Sequence, residues 1–352
     1  FTDEGLSKTF QFFESVMNIW RGLVTTPIPS HHINNFIGNV ANNMLAGVSL
    51  LDYRRAANLI KKMKSGQISA AERKLVQEAY DRGVLASGVL YEIADPFREA
   101  KLAEKGWLGK AERFARDNKL ASFMREKIGD YIEDFTRMAL YLSGKRKGLS
   151  AKQSADLVRK YLFNYAERTP TERAIRNFIP FWSWTKNNLP LQFQELMRQP
   201  RYYNTYRHLQ QMVDDESETV KPDWVADYLK IPGVNYYINP RLPMSDITQV
   251  TEEPLQFVGN LLGPIPKSFI EAAVNREVFT GKPIDYSLEY EGKHDPLAWI
   301  DFILGHFGLP GRIWSAAQSQ DPLSASMRIL FPLWPVTYNE QRVINERLKA
   351  EG

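Results

Sequence analysis

The sequence predicts a mainly α-helical chain: a helical bundle, then an irregular Pro- and aromatic-rich α region with a small β-hairpin. Three observations predict it. Apolar residues recur at helical spacing through the first half. Capping patterns precede several of those runs. Proline is unevenly spread: of 20 prolines, only Pro27, Pro29 and Pro96 fall before residue 170, and 17 follow. A proline inside a helix costs about 3 kcal/mol, so long helices are open to the first half and closed to much of the second. Two regions follow, 1–168 as the bundle and 169–352 as the Pro- and aromatic-rich part, with the hairpin near 228–240.

Leu6, Phe10, Phe13, Met17 and Trp20 stand three or four apart and form one apolar helical face. Phe36 to Leu51 is 16 residues of mostly apolar character, but Asn39, Asn42 and Asn43 interrupt it, which predicts a buried helix and not a membrane span. Ser69 followed by Glu72 is a capping-box pattern ahead of Leu75, Val76 and Tyr80. Lys119 to Leu142 reads as a long amphipathic helix that Gly144 and Gly148 stop, with Lys145, Arg146 and Lys147 suited to its C-terminal dipole. Ser150 with Gln153 opens a helix to about Tyr165. Thr169, Pro170 and Glu172 open another, ending at Phe178.

Pro180, Pro190 and Pro200 are expected to cut the next stretch into short helical pieces. The acidic run Asp214, Asp215, Glu216 and Glu218 ends a helix in a solvated loop. Val234 to Ile238 is the best strand, and Tyr228 to Lys230 can pair with it around Pro232 and Gly233. Asp295-Pro296 and Asp321-Pro322 are cap-plus-first-turn signals, and Thr337 with Glu340 begins a last polar helix.

Composition narrows the function classes. With 43% hydrophobic and 24% charged residues among 352, the chain has the makings of a folded core. No cysteine is present, which excludes thiol catalysis, thiolate metal sites and disulfides. A net charge of +4 implies nucleic-acid binding only through a local patch. The chain opens on Phe1, not Met, which suggests processing or a longer parent, and nothing near it has the apolar core of a signal peptide.

Catalytic motifs are not found. His31, His32, His208, His294 and His306 make no HExxH pair. His31 and His32 are adjacent and diverge by about 100° on a helix. Gly144-Lys145 lacks the upstream glycine of a phosphate loop, and neither a GxGxxG after a strand nor a GxSxG elbow is present. Glu133-Asp134 and Glu252-Glu253 read as solvated faces or caps. The chain is therefore expected to be no enzyme and to need no cofactor or metal.

Two basic patches could contact phosphates: Lys145, Arg146 and Lys147, with Lys152, Arg159 and Lys160 nearby, and Arg54, Arg55, Lys61, Lys62 and Lys64. Each also reads as a solvated helix face. The most unusual stretch is Ile175 to Tyr206. Phe178, Phe181, Trp182, Trp184, Tyr202 and Tyr203 in it form the expected docking surface, since Trp and Tyr favour interfaces. The alternative is a helical corner that fills the core around two prolines.

The pattern Tyr165-x-x-Arg168-Thr169-Pro170-Thr171-Glu172-Arg173, then Asn177 to Thr185, then Asn188-Leu189-Pro190-Leu191-Gln192, then Pro200-Arg201-Tyr202 resembles a recurring segment of large polyvalent virion-associated proteins of tailed bacteriophages. Further blocks match in the same order: Pro29 to Ala41, Asn239 to Pro243, Pro264 to Lys267, and Phe279 to Ile284 with Ile270, Glu271 and Asn275 before it. The resemblance implies a region near the C-terminal end of a long internal protein, carried in the particle and ejected with the genome, with enzymatic domains elsewhere. It supplies no catalytic residue. It implies a non-catalytic structural protein in the virion interior, found in the host cytoplasm during assembly or the host envelope after ejection. Expected partners are portal, tail or other internal proteins and further copies of the chain, with nonspecific DNA contact and host-membrane contact as added expectations. Two alternatives stay open: a fixed minor capsid or tail-interior protein, and a membrane-active part of an envelope-translocation channel. Leu297 to Trp314, dominated by apolar residues but holding Asp301 and Arg312, suggests lying on a membrane and not crossing it.

Overall fold

The computed structural model describes residues 28–85, 129–163 and 169–215 and, with interruptions, 13–21 and 228–344. The chain is mainly α-helical, with a small antiparallel hairpin and an irregular later region.

Five helices build the bundle: α1 (Pro29–Leu45), α2 (Leu50–Lys64), α3 (Ala70–Asp81), α4 (Asp130–Arg146) and α5 (Ala151–Leu162). Side chains cap three of them. Ser49 with Asp52, Ser69 with Glu72 and Ser150 with Gln153 each form a complete reciprocal box, satisfying two otherwise orphaned N–H groups. α4 lies at the centre, packed on α1, α2 and α5. Four successive residues of it, Met138 to Tyr141, are fully buried, as befits a helix surrounded on all sides. Leu45, Ala56, Leu59, Val76, Ala79, Val158 and Leu162 close around it.

The same core continues past residue 168. Leu191 of α7 (Trp182–Arg198), Tyr203 and Tyr206 of α8 (Pro200–Asp215), Ile247 of α9 (Ser245–Glu252) and Met244 just before it belong to it. Between α5 and α7, α6 (Pro170–Phe178) opens on the Thr169–Glu172 box. Beyond α9 come α10 (Pro254–Leu261), α11 (Pro264–Val274), α12 (Tyr286–Glu291), α13 (Pro296–Gly305) and α14 (Pro322–Leu330). Seven of these fourteen described helices open on proline, where its missing N–H has no intrahelical partner to lose.

Four sequence expectations change. The apolar stretch Phe36 to Leu51 is not one helix: α1 ends at Leu45, Gly47 takes φ +74°, and Ser49 caps α2. Gly144 does not stop α4 but lies inside it. A Cβ there would sit 2.8 Å from Ser154 Oγ, so the glycine lets α4 and α5 cross closely, and Gly148, at φ +81°, is the stop. Pro190 does not break α7 either. Its ring and Lys186, whose carbonyl loses its i+4 donor, both face solvent, so water can take that carbonyl. The strand is shorter than Val234 to Ile238: β1 (Leu229–Lys230) pairs with β2 (Tyr237–Ile238), Leu229 opposite Ile238. Tyr237 then exchanges two 2.8 Å backbone hydrogen bonds with Val336. Leu6, Phe10, Lys119 to Ile128, residues 164–165 at the expected end of α5, the acidic residues after Asp215 and Glu340 of the last polar helix lie outside the described residues.

Candidate interaction surfaces

The asparagines of α1 are the polar hub of the bundle. Asn39 Nδ2 donates to Glu133 and to Thr136 Oγ1 (3.2 and 3.1 Å), Asn43 Nδ2 to Thr136 O and Tyr53 Oη (3.0 Å each), and Asn42 Nδ2 to Tyr161 O (3.0 Å). Gln192 on α7 donates to Asn42 Oδ1 (2.9 Å) and Asn188 Oδ1 (3.0 Å), and its own Oε1 accepts from Tyr203 Oη (2.7 Å). Asn188 carries the chain on to Pro243 O and Asp246 (3.1 and 3.0 Å). Burial pushes the Asp246 carboxyl up to about 6, and the Asn188 amide offsets only part of this.

A second buried group centres on Glu195. It accepts from Tyr161 Oη (2.7 Å), Arg198 Nε (2.9 Å) and Gln199 Nε2 (2.8 Å). Burial and the neighbouring carboxylate both hold the Tyr161 hydroxyl above its usual range, so it stays a donor. Arg137, fully buried, pairs with Glu133 and closes α5 by donating to Leu162 O and Phe163 O (2.7 Å each). Phe163 sits there at φ +51°, a conformation these bonds hold in place.

Each cation of the predicted phosphate patch has an internal partner. Arg146 grips the fully buried Asp52 through two 2.9 Å hydrogen bonds. Burial raises the Asp52 carboxyl, but Arg146 and the Ser49 cap outweigh it and hold the group well below the carboxylate range. Lys147 Nζ donates to Ala46 O (2.9 Å), at the end of α1. Lys145 lies 3.1 Å from Glu78, which Tyr141 also bonds. The three cations thus fasten the end of α4 to α1, α2 and α3.

The predicted docking residues divide. Tyr203 is buried in the core, and Trp184 and Tyr202 pack against it. Phe178 and Phe181 are 48% and 40% exposed, yet each touches an aromatic ring of the helical residues between Phe13 and Arg21. Phe13 meets Phe178 at 5.6 Å and Trp20 meets Phe181 at 6.5 Å. Met17 completes that face, and a Cβ on Gly263 would come within 2.7 Å of its methyl. Trp182 Nε1 and both amide atoms of Asn177 are buried here without a hydrogen-bond partner among the described residues.

Two surfaces were weakly legible in the sequence. α13 buries Phe302 but leaves Leu297 69%, Ile300 48% and Ile303 52% exposed. Ile313, Trp314, Phe269 and Leu323 add further exposed apolar area in the later region. Trp314 Nε1 donates to Asp301 (2.9 Å), joining its segment to α13. The second surface is α2, whose cations Arg54, Arg55, Lys61 and Lys62 all face solvent. Among the described residues no three His, Asp or Glu side chains are grouped to hold a metal ion, and no helix is long and apolar enough to cross a membrane. Comparison with known proteins returned no matching family model, curated protein or solved structure.

Proposed function

We propose that the chain is a non-catalytic structural protein of a tailed-phage virion, held inside the particle and ejected with the genome. The ordered blocks from Pro29 to Ile284 that resemble polyvalent virion-associated proteins support the setting. The observation that carries an assembly role is the apolar surface of the later region. Large side chains such as Phe269, Leu297, Ile303 and Leu323 are more than half exposed. On α13, Leu297, Ile300 and Ile303 stand three residues apart and form one exposed apolar stripe, which fits a face that another molecule covers. The buried polar side chains fit the same reading, because Gln192 braces Asn42 to Asn188 and Glu195 is committed to Tyr161, Arg198 and Gln199. Quantitative peptide mapping of purified particles of the encoding phage tests the setting. The reading expects peptides from both halves in fixed ratio to the portal protein. Their absence from the particles overturns it.

A membrane-surface role is the second reading, and α13 favours it, since its exposed Leu297, Ile300 and Ile303 could lie in a lipid headgroup layer. Flotation with neutral and with anionic vesicles decides it. Co-flotation supports the membrane reading, and a chain left at the bottom of the gradient dismisses it.

A further inference from the structure

We propose that the outward face of α2 binds the phosphate backbone of duplex nucleic acid. At about 100° per residue, Arg54, Arg55, Lys61 and Lys62 fall on one arc of roughly 120°, and the buried Asp52, Ala56 and Leu59 occupy a separate arc that begins about 40° beyond Arg55. Seven residues separate Arg54 from Lys61 and Arg55 from Lys62. At 1.5 Å per residue each pair spans about 10 Å, or about three nucleotide steps along one strand.

Three exposed cations without an acidic partner among the described residues lie close together on this one helix. Many of the other described cations are taken: Lys145 by Glu78, Arg146 by Asp52, Arg159 by Asp156, Arg198 by Glu195, Lys186 by Glu172 and Arg276 by Glu289. On α2 Lys62, which lies between Arg54 and Arg55 on the arc, is paired with Glu72 of α3 at 2.5 Å. Arg54, Arg55 and Lys61 are exposed and have no acidic partner among the described residues. A solvated helix face ordinarily mixes the two signs. A face of one sign carries self-repulsion, which a bound polyanion relieves. The face is also rigid. A capping box starts α2, Ala56 and Leu59 anchor it against α4, and Arg146 holds its first turn through Asp52.

An arrangement of this kind reads charge and not sequence, so binding is expected to be nonspecific and steeply salt-dependent. It is read from the charges of α2 and stands whether or not the virion setting is correct.

The experiment is fluorescence anisotropy of the full chain with a mixed-sequence duplex of about 30 base pairs, from about 50 to 200 mM salt. The wild type is expected to bind in the micromolar range at the low end, with log K falling against log salt at a slope of about −3 or steeper. The triple variant Arg54→Ala, Arg55→Ala, Lys61→Ala is expected to bind at least about tenfold more weakly, with the slope shallower by about 2.7. The charge-preserving variant Arg54→Lys, Arg55→Lys, Lys61→Arg is expected to retain both affinity and slope. Lys145→Ala, which removes an internally paired cation, is expected to leave the slope unchanged. Circular dichroism melts verify that the variants fold. Failure of the wild type to bind the duplex at low salt, or an unchanged slope in a folded triple variant, overturns the proposal. Tighter binding to phosphatidylglycerol vesicles than to the duplex overturns it too, and assigns the face to a membrane.

Discussion

Three residues carry more of the structure than their types suggest. Gly144 has no room for a side chain, because Ser154 Oγ, Cβ and Cα stand 2.8, 3.0 and 3.2 Å from where its Cβ would be. Gly144→Ala is expected to lower stability by about 1–3 kcal/mol in urea denaturation, and Ser154→Gly in the same chain to recover part of the loss. The sequence shows Gly144 and Gly148 alike, four residues apart. Only the packed α5 distinguishes a glycine that admits a neighbouring helix from one that ends its own. Gln192 is equally opaque in sequence, since a glutamine in a Pro-flanked helix gives no sign that it bonds Asn42 across 150 positions. Asp246 supplies a pH test. Its folded-state carboxyl sits at about 6, above the ordinary value near 4, so the folded chain holds that proton more tightly than the unfolded chain. Its contribution to stability is full below about pH 4 and is lost as pH rises through about 6. Thermal melts across pH 4 to 7 are expected to show this fall. Asp246→Asn, which can still accept from Asn188, is expected to flatten it.

Among the elements, helix starts were the most legible and helix ends the least. Ser69–Glu72, Ser150–Gln153 and Thr169–Glu172 are local chemistry, and all three appear in the structure as complete boxes. Thr169→Ala removes the side-chain acceptor of the Glu172 N–H at the start of α6 and is expected to cost about 1 kcal/mol in thermal or denaturant unfolding. Thr169→Ser is expected to retain most of that stability. Proline was harder to interpret, because its effect depends on position. At N1 it starts α8, α10, α11, α13 and α14, whereas Pro190 sits inside α7 on the solvent side. Hydrophobic pattern also misled where a turn lies inside an apolar run: the break between α1 and α2 rests on Gly47 and the Ser49 cap, within a stretch that reads as continuous.

Among the described residues the larger hydrophobic core spans Leu45 to Ile247, and the later helices carry apolar area away from it. Composition recorded both as hydrophobic content and could not separate them. The basic patches show the same limit, for sequence lists Lys145, Arg146, Lys147 and the α2 cations alike, and only the Asp52 and Glu78 carboxylates and the Ala46 carbonyl around the first group show that it is engaged. The exposed apolar surface is expected to drive self-association. In sedimentation velocity, a concentration-dependent rise in mass is expected for the wild type and a marked weakening for Ile300→Glu with Ile303→Glu. An equal association of both proteins would place the contact elsewhere. The proposed role, a structural protein delivered with the genome, calls for quantifying the chain in purified particles before and after triggered genome release. Peptides from both halves are expected to be present before release and depleted afterwards. Full retention in the emptied particles would overturn delivery and make the chain a fixed part of the shell or tail.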